Sequence, residues 1–280
     1  MSRIRLALCA ALVCVFAAVP AAKTVRDAAA TADEMAMREM LEGKDGRREM
    51  WASAPALVVI SSVLDYEQGA MSTGFAALDQ TMSEKELEQL EADLTDALYE
   101  LTGGTFESFK SISVESAQPG EAVKVVRPGQ IVVARYRGVQ KKTGNIGYGG
   151  RLTHGESIVG AAVILDAAFD TKSNQRQLLR THELGHALGY HHVESRPSVM
   201  NARVGSSITD FDRAAIRVAF DTPADHQTAP VEIASPQQMS NFRDYRADSF
   251  ALARPENCNR LVFGLIHIAA QQCSLVRELQ

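Results

Sequence analysis

Residues 181–192 read Thr-His-Glu-Leu-Gly-His-Ala-Leu-Gly-Tyr-His-His and hold four of the chain's seven histidines. His182 and His186 are four apart, so on a helix their imidazoles share one face, one turn apart. Two imidazoles on a rigid helix can chelate a tetrahedral zinc ion. Glu183 lies on an adjacent part of the helix surface and can reach a metal-bound water without being a ligand. Gly189 can adopt the left-handed backbone that ends a helix, after which the chain can turn back towards the metal. Either His191 or His192 could then supply a third imidazole. Neighbouring side chains of an extended segment point to opposite sides, so the pattern needs one of them rather than both. Three imidazoles leave one zinc position for water, the mark of a catalytic rather than a structural site. Glu183 is placed to take that water's proton as a general base.

The surrounding pattern places this stretch in an α+β domain. Ala56–Leu64, ALVVISSVL, is apolar and β-branched and predicts a strand. Ser83 and Glu86 have capping-box spacing. Leu87, Leu90, Leu94, Leu98 and Leu101 fall on one helical face, and Gly103-Gly104 ends it. FKSISVES, QIVVARYRG, YGGRLTHGES and IVGAAVILD read as further strands. A capped helix is expected to start near Ser173 and carry the histidines, and another to run from about Asp210 to Phe220. The order of strand, long helix, several strands and two helices predicts one mixed sheet with helices packed on it.

The spacing H-E-x-x-H-x-x-G-x-x-H over 182–192 resembles the zinc signature of the metzincin metalloendopeptidases. Carried onto this chain, the resemblance implies His182, His186 and His192 as zinc ligands and Glu183 as the catalytic base, with His191 outside the metal shell. RPSVMN, with Met200 eight residues after His192, resembles the family's methionine turn at the matrixin distance. ITDFDRAAIRVAF resembles the last matrixin helix, and Asp212 matches the aspartate that ties that helix to the methionine turn. GGRLTH followed by IVGAAVILD resembles the family's edge strand and its inner neighbour. That implies a protein or peptide substrate bound extended along the edge. The implied fold is a metzincin-like twisted mixed β-sheet with a long backing helix, an active-site helix and a C-terminal helix. The implied activity is zinc-dependent endoproteolysis with one catalytic Zn2+.

Several positions depart from the family. Val193 follows the third histidine and fits none of the main subfamilies, and Ala202 stands where astacins and serralysins carry a tyrosine. Residues 23–52 contain no cysteine, so matrixin-type thiol latency is excluded. His154 resembles a structural zinc ligand of matrixins, but the sequence offers no convincing companion ligands for such a site. Asp166 and Asp170 could serve a structural Ca2+, but two acids do not support a site of six to eight oxygens. The chain therefore reads as matrixin-like with no assigned subfamily, firmly over about 145–221 and faintly over 54–144. The alternative is a secreted, zinc-scaffolded binding protein without peptidase activity, against which the intact Glu183 argues. A deformylase-like hydrolase sharing only H-E-x-x-H is opposed by Gly189, His192 and Met200 together.

The ends of the chain set its address. Arg3 and Arg5 precede the apolar run LALCAALVCVFAAV and a small-residue VPAA segment, the order of a secretory signal peptide over 1–22. The run is shorter than the ~20 residues a spanning helix needs, so no stable membrane insertion is expected after its removal. The expected location is extracytoplasmic, secreted or periplasmic. Residues 23–53 read as a leader helix and candidate propeptide, 54–222 as the zinc metalloprotease domain, and 223–280 as a linker with a docked apolar tail. Cys258 and Cys273 are candidates for a disulfide, which an uninterrupted helix between them would forbid. A net charge of −5 gives no basic footprint for nucleic acid.

Overall fold

The computed structural model describes residues 32–42, 46–69, 74–203 and 206–220. The expected signal peptide, the two C-terminal cysteines and the apolar tail lie outside these residues. Among the described residues no helix is long and apolar enough to cross a membrane.

A helix over residues 32–42 (α1) precedes strands β1 (Ala56–Asp65) and β2 (Phe75–Thr81) and the long helix α2 (Glu84–Leu101). Three strands follow, β3 (Ile112–Glu115), β4 (Ala122–Val123) and β5 (Gln130–Arg137), then a short helix α3 (Val139–Thr143). The hairpin β6 (Gly147–His154) and β7 (Ser157–Asp166) leads through α4 (Ala167–Lys172) to α5 (Arg176–Leu188), and α6 (Asp210–Phe220) follows. The strands make one mixed sheet in the order β4-β2-β1-β5-β7-β6, with β3 also paired to β1. β1, β5 and β7 run parallel, whereas β6 runs antiparallel to β7. A mixed sheet with helices packed on it is compatible with the α+β class expected.

Period-two alternation sorts the sheet's side chains. Leu57, Val59, Ile131, Val133, Ala161, Val163 and Leu165 point to one face and pack with Leu90, Leu94, Leu98 and Leu101 of α2 and Leu179, Leu184 and Leu188 of α5. Val58, Ile60, Val132, Ala134, Ala162 and Ile164 point to the other face and pack with Tyr66, Phe75 and Tyr136. Strands covered on both faces must be apolar almost throughout, and β1 reads that way. α2 opens as its sequence predicts. Ser83 Oγ accepts from the Glu86 N–H, and Glu86 accepts from the Ser83 N–H at 3.0 Å. This cap fixes the register that turns the leucine stripe towards the sheet.

Candidate metal centre

Helix α5 carries the first two histidines, and its N-terminus departs from expectation. Ser173 closes α4, and its hydroxyl accepts from the Gln175 N–H at 3.0 Å; α5 then opens at Arg176 with no side-chain cap. Packing against α2, β6 and β7 fixes this helix in place of a cap. Its other end is as predicted. Gly189 has φ 115°, a conformation L side chains rarely adopt, and a Cβ there would lie 2.1 Å from the Glu49 carbonyl oxygen. The Tyr190 N–H then donates to Gly185 O at 3.0 Å, and the Tyr190 hydroxyl to Leu101 O at 2.5 Å. This reversal carries the chain back past the helix.

The turn brings His192 to His182 and His186, and these three histidines could hold a metal ion. Their candidate ligand atoms all lie within 4.8 Å of one another. His192 Nε2 is 3.0 Å from His186 Nε2 and 3.3 Å from His182 Nε2. The far nitrogens fix the tautomers. His182 Nδ1 is 2.7 Å from Val199 O and His186 Nδ1 is 2.9 Å from Tyr190 O. A carbonyl can only accept, so each Nδ1 carries the proton and each Nε2 presents a lone pair. Burial keeps these rings neutral. It lowers His182 to about 4, with the Val199 carbonyl opposing the shift, and lowers His186 well below the usual imidazole range. His192 is lowered by the same desolvation. A neutral His192 could donate from Nε2 to one of the other two rings, not both. At least one short contact in the trio therefore lacks its own hydrogen bond, an arrangement a cation relieves.

His191 is directed elsewhere. Its Nε2 lies 2.8 Å from Arg151 Nη2, and a guanidinium can only donate, so that lone pair is occupied. Met200 is fully buried under α5. A Cβ added to Gly185 would lie 2.5 Å from its sulfur, so this glycine admits the methionine between the two helical histidines. Asp212 of α6 braces that turn. It accepts from Ser198 Oγ at 2.5 Å, Val199 N at 2.9 Å, Thr209 N at 2.8 Å and Thr209 Oγ1 at 2.9 Å. The same Val199 offers its carbonyl to His182, so Asp212 reaches the trio through one residue. Val193 is buried in the core, and its N–H donates to Met200 O at 3.0 Å.

Glu183 is 4% exposed and faces β6. Desolvation raises its pKa to about 8, against the opposing hydrogen bond from the Gly149 N–H. The strand can come this close because position 149 lacks a side chain. A Cβ there would fall 2.1 Å from Glu183 O and 2.6 Å from His186 Cβ. A divalent cation in the trio would draw the carboxyl back towards its ionised form.

The acids considered for calcium have other partners. Asp166 caps α4, accepting from Ala168 N and Phe169 N at 3.1 Å, and also accepts from Gln140 N at 3.0 Å. Asp170 is fully buried between two arginines, at 2.7 Å from Arg180 Nε and 2.7 Å from Arg135 Nε. Both carboxylates are thus committed to the protein, and a calcium site built on them is not supported. Arg180 also binds Asp93 at 2.6 Å, and Arg135 binds Glu86. This buried network ties α2, α4, α5 and β5 together behind the histidines. Residue pattern missed it, since no local spacing marks pairs so distant in sequence. His154 lies exposed at the end of β6, apart from the trio.

No protein-family model matches the chain, and no curated protein matches it.

Proposed function

We propose that this chain is a matrixin-like metzincin, a zinc-dependent endopeptidase acting outside the cytoplasm on proteins or peptides. The supporting observation is the convergence of the three Nε2 atoms beside a buried glutamate and an edge strand. Two ligands held ~2.0–2.1 Å from a tetrahedral zinc lie ~3.3 Å apart. The observed separations of 3.0 and 3.3 Å fit that spacing without movement of the backbone. Neutral imidazoles also suit zinc better than the oxygen-loving magnesium or calcium.

His182, His186 and His192 would hold the ion, which supplies Lewis acidity and a water made nucleophilic at neutral pH. Glu183, one residue after the first histidine, takes the proton of the attacking water and returns it to the departing amine. Its Gly149 hydrogen bond orients the carboxylate. β6 stands at the end of the strand order, with its β7 side paired. An extended peptide added to its open side would run past Glu183 and meet the backbone groups it needs. α2, α5 and α6 correspond to the backing, active-site and C-terminal helices of the resembled fold.

The test is Glu183→Ala in the processed protein. It should keep one zinc and lose nearly all cleavage of an unfolded protein substrate. Zinc-loaded wild-type protein that leaves every unfolded substrate intact would instead support a zinc-scaffolded binding protein.

A further inference from the structure

The stretch that reads from sequence as a leader is built into the wall of the metal centre. Helix α1 buries Ala36, Met40 and Leu41, and Trp51 is buried beyond it. Its contacts converge on the loop around His192. The Met40 carbonyl accepts the His191 N–H at 2.8 Å. The Glu39 carboxylate accepts from the Glu194 N–H at 3.2 Å and from the Ser195 hydroxyl at 3.0 Å. Asp33 pairs with Arg196. The residues on both sides of His192 are therefore tied to one short helix.

A second set of contacts comes from the segment after α1. Glu49 binds Arg151 Nε at 2.5 Å. The same guanidinium donates Nη1 to the His186 carbonyl at 3.0 Å and Nη2 to His191 Nε2 at 2.8 Å. One buried arginine thus spans the second histidine and the neighbour of the third. The segment is anchored further on. The Met50 N–H donates to Glu156 O at 2.9 Å, the Ile158 N–H to Met50 O at 2.8 Å, and Trp51 Nε1 to Ala187 O at 2.9 Å. The Glu49 backbone also packs on Gly189, where it leaves no room for a Cβ.

We propose that residues 32–42 and 46–51 are a permanent positioning element of the metal centre, holding the His191–Arg196 loop so that His192 faces His182 and His186. His192 itself is exposed. Its ring direction is inherited from the backbone on either side, and that backbone is held by Met40 and Glu39. Loss of this segment then weakens metal binding instead of unmasking a latent site. The inference rests on reading the trio as a zinc site, and it is independent of whether peptides are cleaved.

The experiment uses the full processed chain and measures zinc affinity by chelator competition, at a temperature where each apo protein is folded. Replacing a group that orients a metal ligand typically weakens affinity 10–100-fold. Glu39→Ala is expected to weaken zinc binding ~10-fold, and Glu39→Ala with Glu49→Gln ~100-fold. Glu39→Gln keeps an acceptor oxygen and should restore most of the affinity. Arg38→Ala, on the exposed side of α1, should leave it unchanged. The cobalt-substituted absorption spectrum should shift in Glu39→Ala, since the set of nitrogen ligands around the ion changes. A purely structural role would lower the melting temperature and leave both the affinity and the spectrum alone. Folded Glu39→Ala with wild-type affinity and spectrum overturns the inference and leaves the zinc reading standing. Wild-type protein that binds no zinc overturns the zinc reading itself.

Discussion

Glu183→Gln should make the metal-free protein more stable, by an amount that grows with pH. Burial raises the Glu183 carboxyl from 4.5 to about 8, so the folded state holds a proton that the unfolded chain releases near 4.5. Folding carries no penalty from this group below pH 4.5, and stability is lost as pH rises from there through 8. Each pKa unit is worth ~1.36 kcal/mol, so the penalty is ~1 kcal/mol at pH 5 and approaches ~4–5 kcal/mol at pH 8 and above. Glutamine has nearly the same shape, does not titrate, and can still accept from the Gly149 N–H. The three lowered histidines titrate in both proteins and cancel in the comparison. Urea unfolding of chelator-treated protein at pH 5 to 8 should show the variant's advantage widening by ~3–4 kcal/mol. Saturating zinc should remove most of that widening, because a dication beside the carboxyl draws its pKa down. An advantage that stays flat or narrows as pH rises would refute the buried, neutral Glu183 on which the reasoning depends.

The other expectations concern the braces around the site. Asp212→Ala removes the acceptor for Ser198, Val199 and Thr209 and should cost about 3 kcal/mol in thermal or urea unfolding. It should also weaken zinc binding, because Val199 holds the His182 ring. Arg180→Ala leaves Asp170 and Asp93 buried with fewer partners and should cost about 3–5 kcal/mol, read from urea midpoints. Glu86 is held at about 2 by the Ser83 N–H and hydroxyl and by Arg135. Its stabilising contribution is complete above pH 4.5 and is lost as pH falls through 2. Wild type and Glu86→Gln should therefore converge in melting temperature across that acid window, while wild type stays ahead near neutrality.

What could be read from the chain was whatever local chemistry dictates. The apolar, β-branched run ALVVISSVL, the capping box at Ser83 and the leucine stripe of α2 each depend on residues within a few positions, and each element formed where expected. Short elements escaped. β2, β4, α3 and α4 lack a long period, and pairing or packing with distant segments fixes them. Ser173 has the composition of a helix cap, yet α4 ends there and α5 starts beyond it. Spacing alone left His191 and His192 open. The choice is made by Arg151 and Met40, which take up the ring and the backbone N–H of His191. Asp170 illustrates the same limit. Its two arginine partners lie 10 and 35 residues away, and only the folded chain shows them together.

The most direct measurement is zinc K-edge X-ray absorption on the processed, zinc-loaded protein, with His192→Ala alongside. Three imidazole nitrogens and one solvent oxygen are expected at ~2.0–2.1 Å, with one nitrogen lost in the variant. A shell with two imidazoles that His192→Ala leaves unchanged, or a fourth place held by another protein side chain, would contradict it.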